Sequence, residues 1–327
     1  MGLIKEGVEV SLIAKKHSAL AKKSRQEGAR VYQSTSNFHS LIILIMKGSK
    51  FDIIHPQSGK SHTHCVLSKF FHRTPIIYSR RVDFFPKGLF TKIKYKYTDS
   101  VVSISKAVSE ILSKAGMCSN SPIISSAVSY RKPDFSRCQK IKESLGIKSD
   151  MKIIGLVAAL EPHKDPYTAI RAIYQLYGCR DDFVVLHFGN GSIFEKAADL
   201  LQELNLAKKY FLMGHQNNVE DFFSIMDVFL MTSSEEGLGS SIMDAFSNNV
   251  AVVSTNAGGL KELVDSRGYL CDVGDVMCLS KCLNEALERN KQSKKYILAA
   301  KKFCDDELSI NIMVNKYISI YRELIDE

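Results

Sequence analysis

"SSEEGLGSSIMDAFSNNVAVVSTNAGGLKELV" occupies residues 233–264. Glu235 and Glu236 lead into Gly237-Leu238-Gly239, two serines follow, and Asp244 comes eight residues after Glu236. The apolar run Val228–Met231 just before it predicts a buried strand, so 232–239 is the loop at that strand's carboxyl end. Ser240 and Ser241 then open a helix, and serine suits the capping position. A helix N-terminus flanked by glycines offers free backbone N–H groups and the positive end of a dipole, an arrangement that receives phosphate. Asp244 sits one turn into that helix, on the side that looks back at the loop. Acids against a diphosphate repel it, whereas acids that bind sugar hydroxyls at either end of a diphosphate do not. The same spacing also fits a capping acid and a solvent-facing helix acid.

Outward from this stretch the chain alternates apolar, Val- and Ile-rich segments with helical ones. Residues 8–13, 52–55, 75–79, 100–104 and 123–125 read as strands in the first half. Residues 153–158, 183–188, 210–213, 228–231 and 250–254 do so in the second. Helices are expected over 105–115, 167–177, 193–204, 219–225 and 241–248, and an amphipathic one over about 308–325. Strand–helix alternation predicts parallel sheets covered by helices on both faces. "GIKSDMK" (146–152) reads as a linker between two such domains, 1–149 and 150–305, followed by a C-terminal helical segment, 306–327, that packs back toward the first. The opening, "MGLIKEGVEVSLIA", reads as the tail of a helix, a glycine at its C-cap and a strand. The strand and turn that usually begin a doubly wound domain are missing from this reading, so an N-terminally shortened first domain is expected.

Composition narrows the class. The 327 residues are 45% hydrophobic, so a globular protein of two full cores is expected. The longest apolar run, Leu41–Met46, is far short of the roughly 20 residues of a membrane span, and a signal peptide is not expected from an opening in which Lys5 and Glu6 follow Gly2-Leu3-Ile4 at once. Eight scattered cysteines form no CxxC and no zinc spacing. Buried thiols in a reducing, cytoplasmic compartment are expected, with no metal. Residues 1–150 carry 26 Lys+Arg against 10 Asp+Glu (+16), and residues 151–327 carry 18 against 25 (−7). A basic half beside an acidic half fits an anionic surface or acceptor, or a merely solvated basic face. Without a zinc-finger or RNA-binding signature, nucleic acid is not the expected partner. "DFFPKGLFTKIKYKY" (83–97) interleaves aromatics with lysines, as a segment docking on anionic lipid headgroups would, and as a half-buried helix with a basic outer face also would.

The stretch 233–264 resembles the signature of the retaining glycosyltransferase family 4, the group 1 glycosyltransferases of the GT-B fold. The match is Glu236-Gly237-Leu238-Gly239, then Asp244, the strand after it, and Gly258-Gly259. Residues 153–173, 183–191, 210–237, 51–71 and 101–112 are similar to other parts of that family in the same order. The resemblance implies an α/β GT-B fold: two Rossmann-like doubly wound domains facing a cleft, with the first strand of the N-terminal domain missing. It implies transfer of a sugar, with retention, from a UDP-, GDP- or ADP-linked donor to a hydroxyl of a glycan or lipid-linked acceptor. The biological setting it implies is cell-envelope polysaccharide or lipopolysaccharide synthesis, at the inner face of the cytoplasmic membrane. Glu236 would sit by the transferred sugar. Gly237, Leu238, Gly239 and Ser240 would hold the diphosphate, Asp244 the ribose, and Lys164 the phosphates, with Met213, Gly214 and His215 near the base. Lys60, His62 and Arg81 are acceptor-side candidates. No cofactor is implied, and the metal-binding Asp-x-Asp of another nucleotide-sugar fold is absent from the sequence.

Three positions depart from the pattern: Ala159 stands where an arginine is usual, Asp244 where a glutamate is usual, and Arg81 aligns with a histidine. An arginine cannot act as a base but can bind a phosphate or carboxylate in bidentate fashion. Two other readings stand beside transfer: a nucleotide-sugar epimerase of the same fold, and a non-catalytic relative that binds a sugar nucleotide or a partner.

Overall fold

The computed structural model describes residues 2–128 and 131–326. The chain divides into two compact units, Met1–Ala127 with Ile310–Glu327, and Val128–Ser309.

The first unit opens with the short helix α1 (Gly2–Lys5), which ends as Val8 N–H bonds back to the Leu3 carbonyl at 3.0 Å. Strand β1 (Ser11–Lys15), helix α2 (Ala19–Gln26) and strand β2 (Arg30–Ser34) follow, and the strands pair in parallel with Ser11 opposite Arg30. The strand expected at 8–13 therefore begins three residues later. Helices α3 (Asn37–Lys47) and α4 (Gly59–Ser68) come next; a reciprocal Ser58–Ser61 capping box starts α4. Strand β3 (Ile77–Arg80), helix α5 (Leu89–Lys96), strand β4 (Ser100–Ser103) and helix α6 (Lys106–Lys114) complete this run, with β3 and β4 parallel. The expected strands at 52–55 and 123–125 are reduced to single bridges, Ile54 to Ile76 and Ser103 to Ile123.

The second unit is a six-stranded parallel sheet. Its elements are α7 (Phe135–Ser144), β5 (Lys152–Val157), α8 (Pro166–Tyr177), β6 (Phe183–Phe188), α9 (Phe194–Glu203), β7 (Tyr210–Gly214), β8 (Val228–Met231), α10 (Ser240–Ser247), β9 (Ala251–Thr255), α11 (Gly259–Val264), β10 (Tyr269–Cys271), α12 (Val276–Leu287) and α13 (Lys291–Glu307). Strand order is β10-β9-β8-β5-β6-β7, so the chain reverses its direction of growth between β5 and β8. Side chains alternate along each strand. Ile154, Leu156, Val228 and Leu230 join Ile170, Ile173, Leu201, Leu279 and Leu283 in one buried cluster. On the other face Phe188 stacks on Phe222 at 4.6 Å, and Phe223 packs on Phe229 at 5.5 Å. The segment Val219–Ile225 that supplies Phe222 and Phe223 is a 3-10 helix rather than the expected α-helix.

Val128 and residues 131–149 fall with the second unit, not the first as the linker reading had it. The cause is α7, whose buried Cys138 thiol meets the Asp221 carbonyl at 3.3 Å. Arg137 is 3.3 Å from the Asp221 carboxylate, itself only 2% exposed. The last helix, α14 (Ile310–Asp326), belongs to the first unit. There Met313, Tyr317, Ile320 and Tyr321 cover Ile77, Val102 and Ile124.

The cysteines differ from expectation at one place. Cys271, at the end of β10, is disulfide-bonded to Cys278 in the first turn of α12, and the Cys282 sulfur lies 3.7 Å from that of Cys271. Among the described residues no helix is long and apolar enough to cross a membrane.

Candidate active site at the glycine turn

In an open parallel sheet, ligands sit beyond the carboxyl ends of the strands where strand order reverses. Here that point is β5 beside β8. A cleft of about 410 Å³ opens there, lined among others by Ala159 and Lys164 after β5, Gly189 and Asn190 after β6, and Glu236, Ser240 and Ser241 after β8.

Local chemistry fixes the walls. Lys164 ends the 3-10 turn Pro162–Lys164, and Asp165 then takes a left-handed conformation (φ +46°) and caps α8 through the Thr168 N–H. The loop after β8 is tied to this turn. Thr232 Oγ1 donates to the Lys164 and Asp165 carbonyls at 3.2 and 2.9 Å, and Ser234 N–H donates to the His163 carbonyl at 2.9 Å. These bonds bring Lys164 Nζ to 2.5 Å from Glu236 Oε2, with both side chains mostly buried (20% and 17% exposed). A third loop holds Glu236 from behind: Gly259 N–H donates to the Glu236 carbonyl at 2.8 Å. A Cβ on Gly258 (φ +49°) would lie 2.4 Å from the Glu236 carbonyl oxygen, and one on Gly259 2.3 Å from that of Gly237. The Gly-Gly pair is therefore required by the close approach of two backbones.

The helix start differs from the sequence reading. Gly239, left-handed at φ +78°, is the N-cap of α10 and carries no side-chain cap; Ser240 and Ser241 are the first helical residues. Ser241 Oγ donates to the Val157 carbonyl at 3.0 Å, pinning the helix start to the end of β5. The N–H groups of a first turn have no acceptor within their own helix, so α10 presents such donors beside Lys164. Below, buried His187 joins Tyr210 OH (2.9 Å) and the Ala158 carbonyl (3.2 Å), and burial holds it well below the usual histidine range, at about 4. Outside the lining residues, Glu161 accepts from Ser192 N–H and Oγ at 2.9 and 2.6 Å, bonds that lower its carboxyl pKa. Neither His187 nor Glu161 carried a motif; His187 is found only through Tyr210 on β7, and Glu161 only through Ser192 in the turn after β6.

The cleft gathers Glu236, Lys164, Ser240 and His215 from the expected set, together with Ala159. Met213, Gly214, Gly237, Leu238, Gly239 and Asp244 are not among its lining residues. Leu238 is buried instead, at 9% exposure. Gly214 accepts the Gly189 N–H through its carbonyl at 2.9 Å. Asp244 is half-buried; burial first, and Glu220 second, push its carboxyl up to about 6.

The first-unit candidates do not form one group. Lys60 is exposed. Arg81, also exposed, bonds Gln57 (3.2 Å) and Ser126 (2.6 Å). His62 is a correction: it is fully buried, stacked on Tyr78 at 3.9 Å and bonded to Thr98 Oγ1 at 2.6 Å. Burial, with nearby Lys94 and Arg80, lowers its pKa to about 3. It is a neutral core residue, placed inward by its position on α4. His55 lies on the segment before α4. It bridges Tyr321 OH (2.6 Å) and Ser79 Oγ (2.7 Å), and Ser79 also meets Tyr317 OH at 2.7 Å.

The model of the family described as glycosyl transferases group 1 matches residues 138–303. A Campylobacter jejuni N-acetylgalactosamine-N,N'-diacetylbacillosaminyl-diphospho-undecaprenol 4-alpha-N-acetylgalactosaminyltransferase is 30% identical over 166 residues, 50% of this chain and 44% of that one. The chain spans about half the length of the curated relatives it matches. Among solved structures, a glycosyltransferase from Rickettsia africae superposes with a TM-score of 0.85 at 20% identity, covering 100% of this chain and 94% of the other. Anabaena HepE in complex with UDP superposes at 0.81 and 16% identity, covering 96% and 92%. These likenesses bear out the GT-B α/β fold with parallel sheets.

Proposed function

Because the chain belongs to the group 1 glycosyltransferases, we propose that it moves a sugar from a nucleotide-diphosphate donor to a hydroxyl of a glycan or lipid-linked acceptor, with retention. The observation that carries this reading is the cleft at the β5/β8 reversal, where Lys164 and the start of α10 present positive charge at one point. On donor binding, the diphosphate would take the Ser240–Ser241 end of α10 and draw Lys164 away from Glu236. Freed, Glu236 would accept from hydroxyls of the transferred sugar and stabilise positive charge at its anomeric carbon. The leaving diphosphate would keep Lys164 and the helix N–H groups, so charge is met where it develops. Asp244 would accept from the ribose, and His215 would lie near the base. UDP is the first base to test, since HepE is described in complex with UDP. The diphospho-undecaprenol acceptor named for the Campylobacter jejuni relative supports a lipid-linked acceptor, and relatives named for lipopolysaccharide core and O-antigen synthesis support work in building cell-envelope glycans.

One observation favours a rival. Ala159 lines the cleft where the family pattern carries an arginine, as a chain that binds nucleotide without turnover would have it. Calorimetry with UDP, GDP and ADP, followed by release of nucleotide from the matching sugar conjugates, separates the two. Binding with release establishes the donor site. Binding without release under any acceptor pool points to the non-catalytic relative, and no binding overturns both.

A further inference from the structure

The first unit carries a surface that the donor site does not use. On α5, Leu89, Phe90, Ile93 and Tyr97 just beyond its end are 72, 88, 41 and 46% exposed. At about 100° per residue these four fall within one arc of about 100°, opposite Tyr95, the one buried residue of the helix. Lys92 and Lys96 flank that arc on one side and Lys94 on the other. The apolar face is thus turned outward by the anchoring of Tyr95 and is not a core face left uncovered by chance. It also continues beyond the helix. Phe70, 72% exposed and from the turn after α4, packs at a tilt of 49° against Tyr97 at a centroid distance of 6.0 Å, and Phe71 beside it is 66% exposed. Phe84 and Phe85 extend it on the loop before α5, at 64 and 48%.

Beneath the surface lies Arg80, 3% exposed. It donates to Tyr95 OH at 2.8 Å and to the Phe84 carbonyl, lies under the Phe84 ring at 5.1 Å, and forms no ion pair among the described residues. Its Nε is buried without a partner. One arginine therefore ties both aromatic segments to β3 while keeping its charge uncompensated. From residue 60 to residue 97 there are nine Lys and Arg against a single acid, Asp83. Of these cations only Lys69 is held in an ion pair among the described residues, with Asp99; aromatics among the others suit the interface of a bilayer rich in acidic headgroups, where rings insert at headgroup depth and lysine stems reach outward. A second protein copy would have to meet this charge with its own like charge.

We propose that this face of the first unit, centred on Phe90 and Ile93, docks the protein on an anionic lipid bilayer. The proposal stands apart from the donor assignment, because vesicle binding is read without turnover. The test is co-sedimentation of the full chain with vesicles of phosphatidylcholine alone and of phosphatidylcholine with phosphatidylglycerol, at low and high salt. The expected result is binding to the phosphatidylglycerol vesicles only, weakened by salt. It should fall at least ~10-fold in Phe90→Glu/Ile93→Glu and in Lys92→Glu/Lys96→Glu, with melting temperature and nucleotide binding as in the wild type. Leu298→Glu, at an exposed apolar position of the second unit, should bind vesicles as wild type does. Equal sedimentation with neutral vesicles, or of the variants with wild type, overturns the proposal. So does a dimer that Phe90→Glu/Ile93→Glu disperses.

Discussion

Lys164 and Glu236, 72 residues apart in sequence, meet with Nζ 2.5 Å from Oε2 at the mouth of the β5/β8 cleft. The pair satisfies both charges in the absence of ligand, so a diphosphate must compete with Glu236 for Lys164. The two substitutions should then separate. Lys164→Ala removes a charge-assisted donor and should weaken nucleoside-diphosphate binding by about 1–3 kcal/mol. Glu236→Gln removes the competitor; nucleotide binding should hold or tighten while sugar transfer is lost. Calorimetry and a transfer assay on both variants check this. Parallel losses of nucleotide affinity in the two would show that the pair is a structural bridge and not a binding device.

Gly258→Ala tests the backbone that supports Glu236. Its φ of +49° and the 2.4 Å approach of a Cβ to the Glu236 carbonyl leave no room for a methyl group. Strain and displacement together should lower unfolding free energy by about 2–4 kcal/mol. Gly59→Ala, at a helix start with nothing within 4 Å of the added carbon, should change it by less than ~0.5 kcal/mol. Urea unfolding of both variants measures the contrast.

Strands β6 and β8 match the sequence reading at both ends, because a parallel strand buried on both faces is a continuous apolar run bounded by polar residues. Strand β10 was not legible: it has three residues, and it is a strand only because Tyr269 pairs with Val253. The glycine turn and the helix after it were readable, and the cap was not. Two serines at the start of α10 read as caps, yet Gly239 takes that position because Ser241 is drawn to the Val157 carbonyl across the cleft. His62 read as a cleft residue because it follows a strand-like segment. Its burial depends on Tyr78 and Thr98, which no local pattern connects to it. Family resemblance put Lys164 at the phosphates and Glu236 by the transferred sugar, but their direct contact is seen only in the structure, since spacing along the chain carries no such contact.

Asp244 is a carboxyl held protonated to higher pH than usual, about 6 against an ordinary 3.8. A raised acid pKa favours the folded state at low pH. That advantage is lost as pH climbs from about 4 to about 6, and the deficit stays constant above. Asp244→Asn should therefore raise unfolding free energy at pH 7.5 by about 1–3 kcal/mol and change it little at pH 4. If Asp244 also accepts from the ribose, the same variant should bind nucleotide more weakly. Chemical unfolding at the two pH values decides the first point, and an unchanged difference between them removes the burial argument.

Cys271, Cys278 and Cys282 should behave differently from the other cysteines. Alkylation of the denatured, unreduced chain should label six thiols and reduction should expose all eight, since the remaining six cysteines are free. With a sequence separation of only 7, reduction should cost about 2 kcal/mol of stability. In Cys278→Ser the Cys282 sulfur, 3.7 Å from Cys271, is placed to form the alternative bond under oxidant. Peptide mapping by mass spectrometry reads each pairing, and eight reactive thiols without reductant would contradict the Cys271–Cys278 bond.

Acid should unfold the second unit through His187. Its folded pKa, lowered by burial to about 4, lies below the roughly 6.5 of an unfolded histidine. A depressed histidine pKa means that stability is complete above about 6.5 and declines as pH falls toward 4, because only the unfolded chain takes up the proton. At pH 5 the loss from this one group is about 2 kcal/mol relative to pH 7.5. Asp244 works in the opposite direction over part of this range, so the comparison must be with a variant and not with pH alone. His187→Gln keeps polar atoms near Tyr210 and the Ala158 carbonyl but does not titrate. It should be less stable than wild type at pH 7.5, where the packing is imperfect, and should lose about 2 kcal/mol less on going to pH 5. Urea unfolding of both proteins at the two pH values gives the difference, and equal losses would show that the proton is taken up elsewhere.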